Sequence, residues 1–321
     1  MSLSTMIVGL GQIGMGYDLK KETEIYVLSH AKAFSLHPKF ELVAGVDLNE
    51  KNRISFTNEY TCPAYSSTED AVSKHRPDVV VVACPTHYHY EMVKKILEVH
   101  PPKAIVCEKP LAYNLEEARQ IVLDCKNHNT QLFVNYMRCS EPGVLEVTRR
   151  IISGEIASPF KGVVWYSKGL FNNGSHFLNL LQKWLGNPLK CNIHSRGNFF
   201  SNYDFEPDFS INFEKGHVTF LAADEENYSH YTIELISASG RLRYEQAGDD
   251  IRWQSAIKDP VCDGYSILES KEHKIESQLN KSQWHVVDQL ANAIENKTAS
   301  ICSGSEALQT IEFLSHIQGK L

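Results

Sequence analysis

The sequence predicts a two-part α/β protein: a doubly wound parallel sheet, then an α+β domain whose open sheet is mostly antiparallel. First, its 321 residues exceed what one hydrophobic core usually supports. Second, the early part of the chain alternates short, continuous apolar runs with helical segments. Third, the later part shows strand-like alternation around hairpin turns. We expect the parallel-sheet domain over residues 1–134 and the α+β domain over residues 135–321.

The first part contains strand candidates that are rich in β-branched and other apolar residues. They occupy residues 6–9, 40–46, 79–83, 104–107 and 131–134. Between them, the clearest helix runs from Leu115 to Asn127, where the cap Asn114 is followed three places later by Glu117, as in a capping box. A second helix, Tyr88 to Val99, stops before two prolines. Strands and helices in this order predict parallel strands joined by right-handed crossovers.

The later part mixes helices with strands that are joined by short turns. Helices are expected over residues 143–152, 175–185, 282–295 and 305–317, and strands over residues 161–168, 209–213, 216–220, 232–236, 241–244 and 251–255. Glycine-containing turns between successive strands are typical of antiparallel hairpins.

Composition and charge exclude several classes of protein. The formal net charge is −7, and Lys and Arg are scattered, so no nucleic-acid surface is predicted. No apolar run reaches the roughly 20 residues of a membrane helix, and the first five residues lack the features of a signal peptide. The eight cysteines form no C-x-x-C pair, which argues against a metal site and favours reduced thiols in the cytoplasm.

A glycine-rich loop follows the first predicted strand. Residues 9–14, Gly-Leu-Gly-Gln-Ile-Gly, match G-x-G-x-x-G. The first glycine permits a tight turn, the second lets the backbone approach a pyrophosphate, and the third lets helix and strand pack closely. This placement predicts a dinucleotide-binding Rossmann unit. The expected cofactor contacts in the loop are Gly9, Gly11, Gln12, Ile13 and Gly14.

The end of the second strand bears on the choice of cofactor. Asp47 stands where a carboxylate would accept hydrogen bonds from the adenosine ribose hydroxyls. A 2′-phosphate would meet like charge there, so NAD is favoured, while the nearby Arg53 keeps NADP open.

The first helix of this unit is expected to be interrupted. The acidic residue ordinarily lies about 20 residues after the glycines, and Asp47 lies further along. The excess is the polar segment Met15 to Leu28, after which a helical pattern resumes at about Ser29. Either Tyr17 or Asp18 is then placed to touch cofactor or substrate, with a solvated surface insertion as the alternative.

Three further stretches point to a known family. They are Cys84-Pro85-Thr86-His87-Tyr88-His89, Glu108-Lys109-Pro110 and Asn172-Asn173-Gly174-Ser175-His176. With the glycine loop in front, their order and spacing resemble the Gfo/Idh/MocA family of sugar-type dehydrogenases. Lys168-Gly169-Leu170 and the insertion also resemble members tied to polysaccharide or nucleotide-sugar pathways. The resemblance implies an NAD(P)-binding Rossmann domain over residues 1–134, an α+β domain for substrate binding and oligomerisation over residues 135–321, and assembly into homodimers or homotetramers.

The resemblance also implies roles for first-domain residues. Cys84, Pro85, Thr86 and His89 correspond to a loop that lies along the dinucleotide, with Cys84 in place of the family's Thr and Thr86 in place of its Asn. Glu108 would support the cofactor side and Lys109 the substrate hydroxyl. The bond between Lys109 and Pro110 is expected to be cis.

In the second domain the sequence departs from the family pattern. The family's D-x-G-x-H and the Asp three residues later read here as Asn172, Gly174, His176 and Asn179. An amide can orient an imidazole but supplies no charge, so His176 should be a weaker proton acceptor and Lys109 more important. Substrate contacts are expected from Lys109, Lys168, Asn172, His176 and Tyr17.

These features predict an NAD-dependent enzyme acting on a hydroxyl of a sugar, nucleotide sugar or polyol. The substrate would give its proton to Lys109 or His176 as a hydride passes to the nicotinamide. Two alternatives stay open. One is an NAD-dependent glycosidase that oxidises its substrate transiently, and the other is a non-catalytic dinucleotide-binding regulator.

Overall fold

The first sheet is parallel throughout and carries strands in the order β3-β2-β1-β4-β5-β6. This computed structural model describes residues 2–22, 25–201, 204–223 and 228–320. Its strands are β1 Leu3–Val8, β2 Phe40–Val46, β3 Ala64–Tyr65, β4 Val79–Val82, β5 Ala104–Cys107, β6 Gln131–Val134, β7 Phe160–Tyr166, β8 Pro188–Ser195, β9 Phe199–Ser201, β10 Asp204–Phe205, β11 Asp208–Phe213, β12 Gly216–Ala222, β13 Thr232–Ser237, β14 Gly240–Glu245, β15 Asp250–Lys258, β16 Ser266–Leu268 and β17 His273–Ile275. Its α-helices are α1 His30–Leu36, α2 Glu50–Tyr60, α3 Thr68–His75, α4 His89–Val99, α5 Leu115–Asn127, α6 Pro142–Ser153, α7 Ser175–Leu185, α8 Ser282–Ile294 and α9 Gly304–Gln318.

The chain divides into two compact units. Residues 1–140 and 280–312 form the first unit, and residues 141–279 and 313–321 form the second. The later segment joins the first unit through α8, whose Val287, Leu290 and Ala291 belong to the hydrophobic cluster around β1 and β4. The division into domains at residue 134 stays a prediction.

The order of the first sheet is that of a dinucleotide-binding fold and confirms the predicted doubly wound architecture. The four valines of β4 are fully buried, as expected for a strand covered on both faces. Because the strands are parallel, their carboxyl ends lie at the same edge of the sheet. The loops after β1, β2, β4 and β5 therefore lie close together at this edge.

The second unit is built on a larger sheet in the order β16-β15-β14-β13-β7-β12-β11-β8, with β17 beside β15. Its pairs are antiparallel except for β12 and β7. This confirms the predicted mostly antiparallel sheet. Helix α7 packs on the sheet through Trp184, whose ring lies 6.0 Å from that of Tyr244 on β14.

One strand of the second unit ends earlier than expected. Strand β7 stops at Tyr166, not Lys168, because Lys168 and Gly169 take left-handed φ values of 62° and 90°.

Among the described residues, no helix is long and apolar enough to cross a membrane.

Candidate active site

The glycine loop after β1 is shaped by close backbone contacts. A Cβ at Gly9, whose φ is +98°, would lie 2.6 Å from the carbonyl group of Ala83, and a Cβ at Gly14 would lie 2.0 Å from the Gly9 oxygen. A Cβ at Gly11 would meet nothing within 4 Å. Two glycines are therefore required by packing, whereas Gly11 leaves bare backbone facing open space.

A cleft of about 740 Å³ opens beside this loop within the first unit. Its walls come from the loops at the carboxyl ends of β1 to β5 and from α4. The predicted site residues that line it are Gly9, Gly11, Gln12, Ile13, Tyr17, Asp47, Cys84, Pro85, Thr86, Glu108 and Lys109. Gly14 and His89 are not among the lining residues and can act on the cleft only by supporting its walls.

Asp47 joins the end of β2 to the glycine loop. Its Oδ2 accepts a hydrogen bond of 2.8 Å from the backbone N–H of Leu10, and its Oδ1 accepts one of 2.7 Å from that of Asn49. Arg53 donates to the carbonyl oxygens of Asp47 and Leu48, at 2.9 and 2.8 Å. The edge of the cleft therefore presents a fixed carboxylate beside a guanidinium that is held on backbone oxygens.

His89 braces two walls of the cleft. Its side chain is fully buried, with Nε2 3.0 Å from the carbonyl oxygen of Cys84 and Nδ1 3.1 Å from that of Leu111. Burial lowers the pKa of His89, so the neutral ring can donate to only one of these oxygens at a time. Burial also raises the pKa of the Cys84 thiol to about 12, which keeps that cleft residue protonated.

Glu108 and Lys109 follow β5, and the Lys109–Pro110 bond is cis. Oε1 of Glu108 lies 2.7 Å from Nε2 of His30 and accepts a 2.6 Å hydrogen bond from Asn135, while Oε2 accepts from the backbone N–H of Lys109 at 3.3 Å. Burial alone would raise the pKa of Glu108, but the hydrogen bonds from His30 and Asn135 and the charges of His30 and Lys109 hold it below its ordinary value. The carboxylate is therefore ionised at neutral pH.

The insertion divides the helix after the glycine loop. The carbonyl oxygens of Ile13 and Gly14 accept from the backbone N–H groups of His30 and Ala31, at 3.0 and 2.8 Å. In an uninterrupted α-helix, these two oxygens would accept from the N–H groups of residues 17 and 18. The helical hydrogen bonds therefore resume 13 residues later along the chain than in a continuous helix. Without that excess, Asp47 would fall about 20 residues after Gly14, where an acidic residue is ordinarily found.

A buried carboxylate closes the base of the insertion. Asp18 is fully buried, and its oxygens accept from the backbone N–H groups of Leu28 and Ser29 and from the Ser29 hydroxyl at 2.6 Å. Val27 packs into the core of the first unit. Tyr17 is half-exposed and lines the cleft, so the insertion is anchored at both ends, with residues 23 and 24 outside the described part.

In the second unit, the loop before α7 is organised by Asp204. The Asp204 carboxylate accepts hydrogen bonds of 2.9 Å each from the backbone N–H groups of Phe171 and Asn172. It also lies against Gly169, where an added Cβ would come within 2.1 Å of Oδ2 of Asp204. The Asn172 side chain donates to the carbonyl oxygen of Lys168 at 3.0 Å. Burial raises the pKa of Asp204 despite the backbone donors that oppose it.

His176 follows a π-helical turn over Leu170–Gly174 and lies in the first turn of α7. Its side chain is buried, as is that of Asn179 one turn later. The π-helical turn and the left-handed Lys168 concentrate backbone irregularity where the family resemblance places substrate contacts.

The sequence alone did not indicate four buried polar residues beside these features, namely His30, Asn135, Asp204 and Gln283. One sequence feature could have drawn attention to His30, because the helix that the insertion interrupts resumes at this residue. The other three contact the site from distant parts of the chain. Within the described residues, no group of three His, Cys, Asp or Glu side chains could hold a metal ion.

Comparison with known proteins agrees with this geometry. Residues 3–136 match the GFO_IDH_MocA family, described as an oxidoreductase family with an NAD-binding Rossmann fold. Over 117 residues the chain is 30% identical to scyllo-inositol 2-dehydrogenase (NAD(+)) from Bacillus subtilis, which covers 36% of this chain and 32% of that protein. The chain spans between about a quarter and two fifths of the length of the first curated relatives it matches.

Solved structures extend the likeness of the fold to the whole chain. The WlbA dehydrogenase from Bordetella pertussis, solved with NADH and UDP-GlcNAcA, is similar with a TM-score of 0.75 and 17% identity, over 98% of this chain and 95% of that chain. UDP-N-acetylglucosamine 3-dehydrogenase GnnA from Acidithiobacillus ferrooxidans is similar with a TM-score of 0.78 and 12% identity, over 99% and 97%. The resemblance inferred from the motifs is confirmed: residues 3–136 match the NAD-binding Rossmann fold of the Gfo/Idh/MocA oxidoreductase family.

Proposed function

We propose that this chain is an NAD-dependent dehydrogenase that oxidises or reduces a hydroxyl-bearing carbon of a sugar, nucleotide sugar or polyol. The observation that carries the proposal is the position of Lys109. It lines the dinucleotide cleft at the carboxyl end of β5, directly after an ionised Glu108. Ligands of doubly wound folds bind at this edge of the sheet.

The cleft fits a dinucleotide. Gly11 leaves backbone free to approach a pyrophosphate, and Asp47 can accept hydrogen bonds from a ribose diol at the end of β2. The same carboxylate would repel a 2′-phosphate, and Arg53 is held by backbone oxygens, so NAD is preferred to NADP. NAD, when bound, supplies the hydride acceptor for the reaction.

Lys109 is assigned the handling of the substrate proton. An uncharged lysine amine can accept the proton of a hydroxyl, and the ammonium can return it in the reverse direction. General acid–base catalysis of this kind contributes about 10²- to 10⁴-fold to a rate. The thiol of Cys84 is unsuited to this role because it stays protonated.

His176 is a second proposed proton acceptor, carried by the second unit. The side chain of Asn172 donates to the carbonyl oxygen of Lys168 and brings no charge to the loop. If His176 takes part, Asn172→Asp should move the pH–rate profile toward higher pH, since a carboxylate stabilises imidazolium. An unchanged profile would remove His176 from the account.

The proposed substrate class rests on the relatives. Several curated relatives are named inositol dehydrogenases, and the names of two structural neighbours include nucleotide sugars. The Lys168-to-His176 loop and the insertion resemble the nucleotide-sugar subgroup, so UDP-linked amino sugars and their uronic acids are the first compounds to test.

A substrate panel tests the proposal directly. NAD⁺ reduction is followed at 340 nm with nucleotide sugars, free hexoses and inositols, using the Lys109→Met variant as the matched blank. Turnover of at least one sugar or polyol by the wild type is expected. Release of free sugar without net NADH would instead select the glycosidase. NADH binding with no turnover of any compound would support a regulator.

A further inference from the structure

A buried histidine lies directly behind the Glu108–Lys109 pair. His30, at the start of α1, is fully buried, and its Nε2 lies 2.7 Å from Oε1 of Glu108. Oε2 of the same carboxylate accepts from the backbone N–H of Lys109. Glu108 therefore bridges His30 on one side and the start of the lysine on the other.

The ionised form of the Glu108 carboxylate depends on hydrogen-bond donors from the protein, because the side chain is largely buried away from water. Glu108 is 9% exposed, and a buried carboxylate without hydrogen bonds is strongly disfavoured. Asn135 and His30 both contact Oε1, at 2.6 and 2.7 Å. The titratable groups facing Glu108 are His30 from α1, Lys109 and Cys107 from its own segment, and His89 from α4. Neutral His89 and the buried thiol of Cys107 supply no charge, so the hydrogen bonds from His30 and Asn135 and the charge of Lys109 are what oppose the effect of burial on Glu108.

His30 also has a fixed relation to the dinucleotide loop. Its backbone N–H donates to the carbonyl oxygen of Ile13, which lines the cleft. Asp18 holds the preceding residue, Ser29, through both the backbone N–H and the hydroxyl. One residue thus connects the glycine loop, the base of the insertion and Glu108.

We propose that His30 is a positioning residue that holds the Glu108 carboxylate in one orientation and in its ionised form, and thereby places Lys109 in the dinucleotide cleft. Its effect on catalysis rests on the proposed dehydrogenase function, whereas its coupling to Glu108 does not. Two further atoms of this cluster, Nδ1 of His30 and Oδ1 of Asn135, are buried and have no hydrogen-bond partner among the described residues. Nε2 of His30 also lies 3.4 Å from Nδ2 of Asn135, so the 2.7 Å contact with Glu108 is the shorter of the two contacts that hold the His30 ring.

A double-mutant cycle in stability tests the coupling without cofactor or substrate. The unfolding free energies of wild type, His30→Leu, Glu108→Gln and the double variant are measured from pH 4 to 8. The His30–Glu108 coupling should exceed about tenfold in the unfolding equilibrium constant, because each partner alone leaves a buried polar group unpaired. His30→Gln, which keeps an N–H donor, should recover part of it. The matched control is His37→Leu, which removes another buried histidine from the end of the same helix and should show no coupling to Glu108→Gln.

The pH dependence distinguishes positioning from packing. In the wild type, the lowered pKa of Glu108 adds stability above pH 4.5 that is lost as the pH falls through the folded-state value. In His30→Leu, burial dominates, so ionisation of Glu108 should cost stability as the pH rises above 4.5. Glu108→Gln would then destabilise the wild type yet stabilise His30→Leu at pH 7. Equal effects in both backgrounds would overturn the proposal.

Two more measurements cover the remaining outcomes. If His30→Leu does not fold, ¹⁵N-histidine NMR of the wild type should show a hydrogen-bonded His30 Nε2–H that shifts in Glu108→Gln but not in Glu146→Gln. An unshifted resonance would overturn the proposal.

Once a substrate is known, His30→Leu should lower kcat at least tenfold with KM for NAD changed less than threefold. This loss of kcat should vanish in a Glu108→Gln background. Coupling in stability without an effect on kcat would limit His30 to a structural role.

Discussion

The backbone N–H of Leu10 donates a hydrogen bond of 2.8 Å to the carboxylate of Asp47, 37 residues along the chain. This contact ties the glycine loop to the end of β2, so one carboxylate both shapes the loop and faces the cleft. Because these hydrogen bonds fix the Asp47 carboxylate, its negative charge would stay close to the 2′-phosphate of a bound NADP and repel it.

Replacing Asp47 should therefore change the choice of cofactor. Asp47→Asn removes the charge but keeps an oxygen for Leu10, so we expect the ratio of kcat/KM for NADP⁺ to that for NAD⁺ to rise about tenfold or more. Glu50→Gln, in the first turn of α2, removes the same charge from an exposed position and serves as the control. A ratio that moves equally in both variants would show that overall charge, and not Asp47, sets the preference.

The carboxylate at the base of the insertion should contribute to stability. Oδ2 of Asp18 accepts from the N–H groups of Leu28 and Ser29, and Oδ1 accepts from the Ser29 hydroxyl. Asp18→Asn keeps one oxygen for the N–H groups, but it removes the charge that strengthens these hydrogen bonds and replaces the other acceptor with an NH2 group. We expect a loss of about 1–3 kcal/mol in the free energy of unfolding, measured by urea denaturation. Glu22→Gln, exposed on the same insertion, should cost less than about 0.5 kcal/mol. A loss as small for Asp18→Asn would mean that the insertion is not anchored at this point.

Asp204 should make the stability of the protein fall as the pH rises from acid. Its folded-state pKa lies above the ordinary 3.8, so its contribution is fully present below pH 3.8 and is lost as the pH rises through the folded value. The stability of the wild type relative to Asp204→Asn should therefore decline over this window and then level off. Denaturant unfolding at half-unit pH steps measures this difference, and a constant difference would contradict the inferred direction.

Elements with strong local patterns were predicted well from the sequence. Helices α5 and α7 and strands β2, β5 and β6 have the expected bounds because capping residues, glycines or continuous apolar runs mark their ends. Helix α2 was missed because Phe56 is its one buried residue, so it lacks an apolar stripe. Strand β3 is a two-residue edge strand, too short to show a pattern.

The candidate site was predictable where its residues are close together in the chain. The glycine loop, Asp47 and Glu108-Lys109 all follow strands whose carboxyl ends meet, so topology alone brings them to one cleft. The contacts of His30 with Glu108 and of Asp204 with Asn172 span 78 and 32 residues. Such pairs depend on packing that no local pattern encodes. Lys109 and His176 lie in different units, and their roles in the reaction stay predictions.

The most direct measurement of the central claim compares Lys109→Met with Lys103→Met in NADH binding and in turnover of a substrate from the panel. Lys103 precedes β5, at the opposite end of the same strand, and pairs with Asp78 on the surface. We predict that both variants bind NADH within about threefold of the wild type, and that only Lys109→Met loses about 10²-fold or more in kcat. A Lys109→Met variant that retained wild-type turnover would contradict the assignment of this cleft as a dehydrogenase active site.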